Sequence, residues 1–502
     1  MHAIMQILQL YWTTPIIPVV FLGITVGIIG GALPGISPSI TMALLVPFTY
    51  TMSAPMAIVL LATTYLGAEY GGSVPAILIN TPGTNSSVVT TIDGYAMKLK
   101  GLAPEALGIS LYSGVLGALV GFVLLTLLTK PLVKVALAFT PMSYFALGVL
   151  GLSIIATLGG KNLFKALATG IVGMMVSTIG ADPISGVNRF TFGQPDLISG
   201  IEPVLIMVGL FAVSEILLQA GEPAWDRVSG RARLRFPNGA MRRRLVKPQV
   251  IGAAVGTFEG CMPGAGGTVA SFIAYNEARR WSRYKEEFGH GSPEGVAAPE
   301  TSNATVTYSA LIPTLSFGIP GSNSTAVLLG GLLIQGLTPG PQLFAQSPHV
   351  IDGLYGGMFA APFVLLVMGI LILPACIWLV NRPRAYLMAF ILALIFSGVY
   401  SINNSMFDLG IVMVAGVAGF VMRKLDLPFL PAVLGLVLGF MVESNYRRSL
   451  VVSGGDKWIF LQDHISAAFL VVAALFVFGS LGNQLRLEIK RRRGLRDGVT
   501  PA

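Results

Sequence analysis

The sequence predicts an all-α polytopic membrane protein made of two inverted-topology repeats, and three observations lead to that fold class. First, 54% of the residues are hydrophobic and 11% charged, with a mean hydropathy of +0.75, whereas soluble domains carry roughly 25% charged residues. Second, Ile77 to Ser87 and Leu315 to Thr325 follow one pattern at a constant offset. Pro82-Gly83-Thr84-Asn85-Ser86-Ser87 aligns with Pro320-Gly321-Ser322-Asn323-Ser324-Thr325, and Tyr70 and Pro75 align with Tyr308 and Pro313. Third, Gly31-Ala-Leu-Pro-Gly35 matches Gly260-Cys-Met-Pro-Gly264 upstream, and Gly101-Leu-Ala-Pro104 matches Gly336-Leu-Thr-Pro339 downstream. Landmarks kept in the same order mark an internal duplication, one copy in each half of the chain.

Taken in order, residues 1–12 form an interfacial segment anchored by Tyr11 and Trp12. The apolar arms 18–33 and 39–50 around Pro34-Gly35 are each shorter than the roughly 20 residues of a full span, so they read as a re-entrant hairpin. Residues 56–94 form the first interrupted helix, and spans near 106–128, 142–160, 163–181 and 201–220 come next. The strongly basic stretch 227–247 joins the halves. A second hairpin (251–262 and 268–278, around Pro263-Gly264) precedes a second interrupted helix over 304–335. Spans near 354–380, 385–402, 405–422, 428–444 and 465–484 complete about 11 crossings. The domains are thus a first repeat, 1–222 (hairpin 16–50, broken helix 56–94); a basic cytoplasmic linker, 223–248; a second repeat, 249–444 (hairpin 250–278, broken helix 304–335); and an extra C-terminal span with a basic tail, 445–502.

Charge sets the orientation. This walk puts every Lys and Arg inside except Lys130, Lys134, Arg189, Arg447, Arg448 and Lys457, as the positive-inside rule demands. The weak point is 129–142, where Lys130 and Lys134 sit outside and a further dip into the membrane would alter the topology before it. The first basic residue is Lys98, so a signal-peptide n-region is missing and the N-terminus is expected outside, the C-terminus inside. The net charge of +9 is spread as topology signals rather than as a nucleic-acid patch. Cys261 and Cys376 lie in separate apolar segments; they read as packing residues, not a disulfide or a metal pair.

A helix broken inside a bilayer strands backbone groups, which is tolerated only where the break is buried in protein or lines a polar cavity. Both Pro-Gly breaks are therefore candidate binding sites. Thr84, Asn85, Ser86 and Ser87, and Ser322, Asn323, Ser324 and Thr325, sit at half-helix starts whose free amides and dipole suit a carboxylate. Their oxygens can equally ligate a hard cation. The hairpin tips Pro34-Gly35 and Pro263-Gly264, and Ser302 and Asn303, belong to the same set. The competing reading is that such hydroxyls and amides only cap and glue helices. Glu69, Glu259 and Glu300 fall in or beside the duplicated elements, where carboxylates are costly unless paired or functional. Glu300 can also be read as a helix-start cap, and Asp93 with Lys98 as an exposed helix-end pair.

An intramembrane enzyme is disfavoured: His2, His290, His349 and His464 lie at the terminus, in loops or at a span edge, and Pro263-Gly-Ala-Gly-Gly267 lacks the Lys-Ser/Thr of a phosphate loop. An anion channel or a non-transporting scaffold is the better alternative to a carrier, and gradient-coupled accumulation separates them.

Several motifs together carry a resemblance: Gly30-Gly-Ala-Leu-Pro-Gly-Ile-Ser-Pro38, Tyr70-Gly-Gly-Ser73, Asn80-Thr-Pro-Gly-Thr84, Asp93-Gly-Tyr95, Pro263-Gly-Ala-Gly-Gly267, Glu300-Thr-Ser-Asn303 and Gly318-Ile-Pro-Gly321. Over nearly its whole length the chain resembles the large membrane subunit of tripartite tricarboxylate transporters, the TctA type. That resemblance implies a bacterial inner-membrane carrier without cofactors. It would work with a small membrane subunit of the TctB type and a periplasmic solute-binding protein of the TctC type. It would import citrate, a smaller dicarboxylate or an aromatic acid, coupled to a sodium or proton gradient. The broken-helix repeats are also similar, as fold analogy only, to those of elevator-type anion symporters.

Overall fold

The computed structural model describes residues 15–158, 163–182, 186–220, 234–262 and 266–496. The interfacial segment 1–12, the first part of the basic stretch, 227–233, and the second hairpin tip, Pro263 and Gly264, lie outside the described residues.

The helices of the first half are α1 (Ile16–Ala32), α2 (Pro38–Thr49), α3 (Ala54–Gly71), α4 (Ser73–Ile79), α5 (Ala103–Ala136), α6 (Pro141–Leu158), α7 (Leu163–Ser177) and α8 (Pro203–Gln219). Strands β1 (Gly180–Ala181) and β2 (Asn188–Arg189) pair antiparallel between α7 and α8. The second half has α9 (Gly239–Cys261), α10 (Gly266–Trp281), α11 (Pro293–Ser309), α12 (Leu311–Phe317), α13 (Asn323–Ile334), α14 (Pro348–Leu371), α15 (Leu373–Val380), α16 (Arg384–Asn403), α17 (Met406–Lys424), α18 (Phe429–Val452) and α19 (His464–Arg496).

Among the described residues, α5, α14, α16 and α17 contain stretches long and apolar enough to cross a membrane unaided. They leave Val123, Leu127, Phe363, Phe390 and Val414 exposed, as a lipid-facing surface requires. The arms α1 and α2 are shorter, 17 and 12 residues, and are joined through Pro34-Gly35.

Two boundaries differ from the sequence reading. α9 begins at Gly239, so Arg242, Arg243, Arg244 and Lys247 belong to a helix instead of a linker. Asn238 caps it by accepting from the Met241 amide at 2.9 Å. Arg244 pairs with Glu287 (2.5 Å) and Glu294 (2.9 Å) and lies over the Tyr284 ring, so its charge is met within the fold. α11 begins at Pro293, capped by Ser292, not near 304. Glu300 consequently lies in the body of a helix and is not a helix-start cap. In both cases a capping side chain sets the helix end, whereas the sequence reading ended helices where charge or polarity began.

The described residues divide into two compact units. One comprises those up to Leu137 together with Val204–Phe420; the other comprises Ala138–Pro203 and those from Val421 onward. In the second unit α7 meets α18 closely: a Cβ on Gly435 would fall 2.0 Å from the Gly170 carbonyl oxygen. Its β-hairpin is held by an ionic cluster, Arg189 to Asp182 (3.3 Å) and Glu443 (2.6 Å), and Arg447 to Asp182 (2.5 Å) and Glu443 (2.9 Å).

The first unit contains both hairpins and both broken helices. α1 lies along α3, with Cβ atoms on Gly27 and Gly31 falling 2.5 and 2.0 Å from the carbonyl oxygens of Thr64 and Ala68. α9 lies along α11 in the same way, Gly252 on Ala298 O (2.3 Å) and Gly256 on Ser302 O (2.4 Å). Such spacing is the small-residue packing that lets membrane helices approach.

Candidate functional site

The two breaks have one local build. α4 ends in a left-handed Asn80 (φ 55°) and α12 in a left-handed Gly318 (φ 73°), at the same register. Asparagine is one of the few side chains that tolerates this conformation. Beyond each lies Pro-Gly. A Cβ on Gly83 would sit 2.0 Å from the Gly31 carbonyl oxygen, and one on Gly321 2.6 Å from that of Gly260. Each break therefore rests on the C-terminal end of the first helix of its own hairpin, and only glycine fits the contact.

Reciprocal caps come next in each copy. The Thr84 amide donates to Ser87 Oγ (3.1 Å) and the Ser87 amide to Thr84 Oγ1 (3.3 Å). The Ser322 amide donates to Thr325 Oγ1 (2.9 Å) and the Thr325 amide to Ser322 Oγ (3.2 Å). The outer members of each four-residue cluster thus satisfy their own backbone. The inner members take no part in these caps: Asn85 is exposed and Ser86 buried, and Asn323 is half-buried with an unpartnered Oδ1 beside buried Ser324.

Two buried carboxylates lie beside the first break, and Tyr65 of α3 reaches the second. Glu69 of α3 accepts from Ser86 Oγ and, on the same oxygen, from Asn303 Nδ2 of α11 at 3.1 Å. One turn earlier on α3, the Tyr65 hydroxyl meets Ser322 Oγ at 3.2 Å. Gly267 at the start of α10 completes the cluster, since a Cβ there would lie 2.6 Å from Asn303 Oδ1 and 3.4 Å from Ser86 Cβ. Glu300 accepts from Ser73 (2.7 Å) and Thr90 on one oxygen and from Ser110 (3.0 Å) on the other. Glu69 and Glu300 are 6% and 4% exposed, and neither forms an ion pair among the described residues. Both line one small cavity with Tyr70, Asn303, Leu66 and Leu365. Hydroxyl and amide donors offset part of the cost of burying these groups, without a basic side chain among the described residues.

The remaining expected site residues fall elsewhere. Gly35 is exposed with φ 82°, where a Cβ would meet Gln219 Nε2; Pro34 beside it is buried. Ser302 is fully buried against Gly256, its hydroxyl without a partner. Glu259 is half-buried on α9, outside the cluster. Asp93 is not an exposed partner of Lys98. It is fully buried, accepting from the amides of Gly289 (2.9 Å), Gly291 (2.7 Å) and Ser292 (2.8 Å) and from the Tyr275 hydroxyl (2.9 Å); Lys98 lies over the Tyr95 ring instead. Tyr65, Ser73, Thr90 and Ser110 were missed. Only Tyr65 carried a readable signal, a tyrosine one turn before an acid in an apolar run.

The sequence is similar to known proteins. Residues 17–434 match the model of the Tripartite tricarboxylate transporter TctA family. An uncharacterised 52.8 kDa protein from the TAR-I ttuC′ 3′ region of Agrobacterium vitis is 37% identical over 468 residues, 93% of each chain. A second uncharacterised protein, from the TAR-II ttuC′ 3′ region of the same organism, is 33% identical over 231 residues, 46% of this chain and 96% of that protein. No solved structure matches.

Proposed function

The chain belongs to the tripartite tricarboxylate transporter TctA family, and from that premise we propose that it is the large translocation subunit of a binding-protein-dependent carrier importing a di-, tri- or aromatic carboxylate. The meeting of the two separately encoded helix breaks on successive turns of α3, Ser322 at Tyr65 and Ser86 at Glu69, carries this reading. In this reading the substrate carboxylates bind at the inner members of the two clusters, Asn85-Ser86 and Asn323-Ser324. Each break offers amide and hydroxyl hydrogens, and α13 adds the positive end of a 12-residue helix. The outer pairs, Thr84 with Ser87 and Ser322 with Thr325, hold these inner residues in place rather than touch the acid. No basic residue joins the clustered contacts, which suits a site that must release its cargo.

The matched registers of hairpin and break support a duplicated unit; opposite orientation of the two copies supplies the midplane site of an inverted-repeat transporter. The N-terminus is then periplasmic and the C-terminus cytoplasmic, in a bacterial inner membrane. A small TctB-type subunit and a periplasmic TctC-type binding protein complete the system, with a sodium or proton gradient as the driving force.

The test is accumulation of radiolabelled citrate and succinate by vesicles holding this chain and its small-subunit partner, with and without the binding protein and an imposed cation gradient. Uphill uptake that requires both additions is the expected result, abolished in Asn85→Ala and Asn323→Ala at unchanged membrane abundance. Downhill flux indifferent to both additions contradicts the proposal and makes the protein a channel.

A further inference from the structure

We propose that the cavity between Glu69 and Glu300 holds one monovalent cation, sodium or a proton, carried together with the acid; this rests on the carrier reading above and assigns its coupling site.

The two acids are buried, face one cavity and have no basic partner among the described residues. An uncompensated buried carboxylate costs several kcal/mol, so a positive charge has to reach this cavity during the working cycle. Two further oxygens point the same way. Asn303 uses its Nδ2 on Glu69, leaving Oδ1 buried with no donor, and the Tyr70 hydroxyl is buried with no partner. Both residues line the cavity and are 4% and 5% exposed. Carboxylate, amide and hydroxyl oxygens are the donors a hard cation selects, and here they share the cavity with the apolar Leu66, Ala304 and Leu365. The cavity is about 10 Å³, the room of about one water-sized sphere, so the ion enters without its hydration shell.

The duplication sharpens the assignment. Tyr70 and Tyr308 hold the same register, yet the Tyr308 hydroxyl donates to the Met358 carbonyl at 3.0 Å while that of Tyr70 is left open. Asn303 holds the register of Tyr65, whose hydroxyl meets Ser322. At the registers of Glu69 and Glu300 the other copy has Thr307 and Ala62. The acidic cavity therefore occurs once, not twice. Three hydroxyls already stabilise Glu300, which suits a single positive charge over a divalent ion. The titratable groups facing the pair are each other, Tyr65 and Tyr70 of α3, and Cys376 of α15 beside Tyr70; Asp93 is bonded instead to Tyr275 and the 289–292 backbone.

The experiment uses the full chain with its small-subunit partner in lipid nanodiscs, free of any carboxylate substrate. Binding of radioactive sodium is measured over a range of pH and against calcium, with thermal midpoints recorded in sodium and in potassium. Saturable sodium binding, displaced by acid and weakened about tenfold or more in Glu69→Gln and Glu300→Gln, supports the site with sodium as its ion. No sodium binding, but a pH-dependent midpoint that flattens in both variants, supports it with the proton. Tyr70→Phe guards against misfolding: its hydroxyl has no bond to lose, so its midpoint without sodium should equal wild type while cation binding weakens. Variants within about twofold of wild type, a wild-type protein indifferent to both cations, or calcium binding in preference to sodium would each overturn the proposal. Because no acid is present, cation binding without later uptake refutes the carrier reading alone, and uptake without any cation response refutes this site alone.

Discussion

The break after α4 and the break after α12 share their backbone and differ in their chemistry. Both have a left-handed residue, Pro-Gly, a glycine seated on a hairpin helix, and a reciprocal cap. Downstream of the cap the two copies diverge. The second break leads into α13, 12 residues of regular apolar helix. The first leads into short helical turns over 88–99 with a π turn at Thr91–Tyr95, and it sends Ser86 and Thr90 to the two acids and Asp93 to the 289–292 backbone. At the register of Asp93 the second copy has Gly331. The comparison teaches that duplication conserved the means of breaking a helix, while each acid stands at a register that the other copy leaves uncharged: Glu69 and Asp93 in the first copy, Glu300 in the second.

Three pairs of substitutions test that difference. Asp93→Ala should have the largest effect: it strands three backbone amides and the Tyr275 hydroxyl, a loss of about 4 kcal/mol in denaturant unfolding of the solubilised protein. The matched Gly331→Ala should cost less, since its Cβ would meet only the Leu61 methyl, at 2.5 Å. Next come Gly83→Ala and Gly321→Ala. Overpacking costs roughly 1–3 kcal/mol, and the 2.0 Å approach at Gly83 against 2.6 Å at Gly321 puts the first break at the upper end. Equal costs would mean that the two seats are not as different as their geometry. The smallest contrast is Tyr308→Phe, which removes one buried hydrogen bond and about 1 kcal/mol, against Tyr70→Phe, which should be near zero because no bond is broken. A destabilised Tyr70→Phe would show that its hydroxyl is already occupied.

Much of this arrangement was legible in the sequence because its signals are local. Pro-Gly inside an apolar run, repeated at one offset, located both breaks, and carboxylates in apolar segments drew attention to Glu69 and Glu300. The ends of α1 and α2 could be read from Pro34-Gly35 and from Ser37, which caps α2. The features that escaped depend on packing. Hydroxyls such as Ser73, Thr90 and Ser110 are ordinary in membrane helices until three of them meet on one carboxylate. Asp93 was misread because Lys98 is its neighbour in sequence while its partners are some 200 positions away. The four-residue clusters were read as uniform ligands, whereas their first and fourth members cap each other, which only the backbone geometry reveals. Glu259 has the same sequence signal as Glu69 but faces away from the cluster, because helix rotation is set by the glycine contacts of α9 with α11.

The central claim, that the two copies meet in one site, is tested most directly by cross-linking. With Cys261 and Cys376 replaced by alanine, Ser86→Cys and Gly267→Cys are combined in the full chain in membranes and oxidised. A Cβ at 267 lies 3.4 Å from that of Ser86, near the separation of about 3.5–4.5 Å that a disulfide spans. The account predicts an intramolecular bond that closes the loop between the halves and is absent from either single variant. Two free thiols after oxidation, in protein that still folds and inserts, would contradict it.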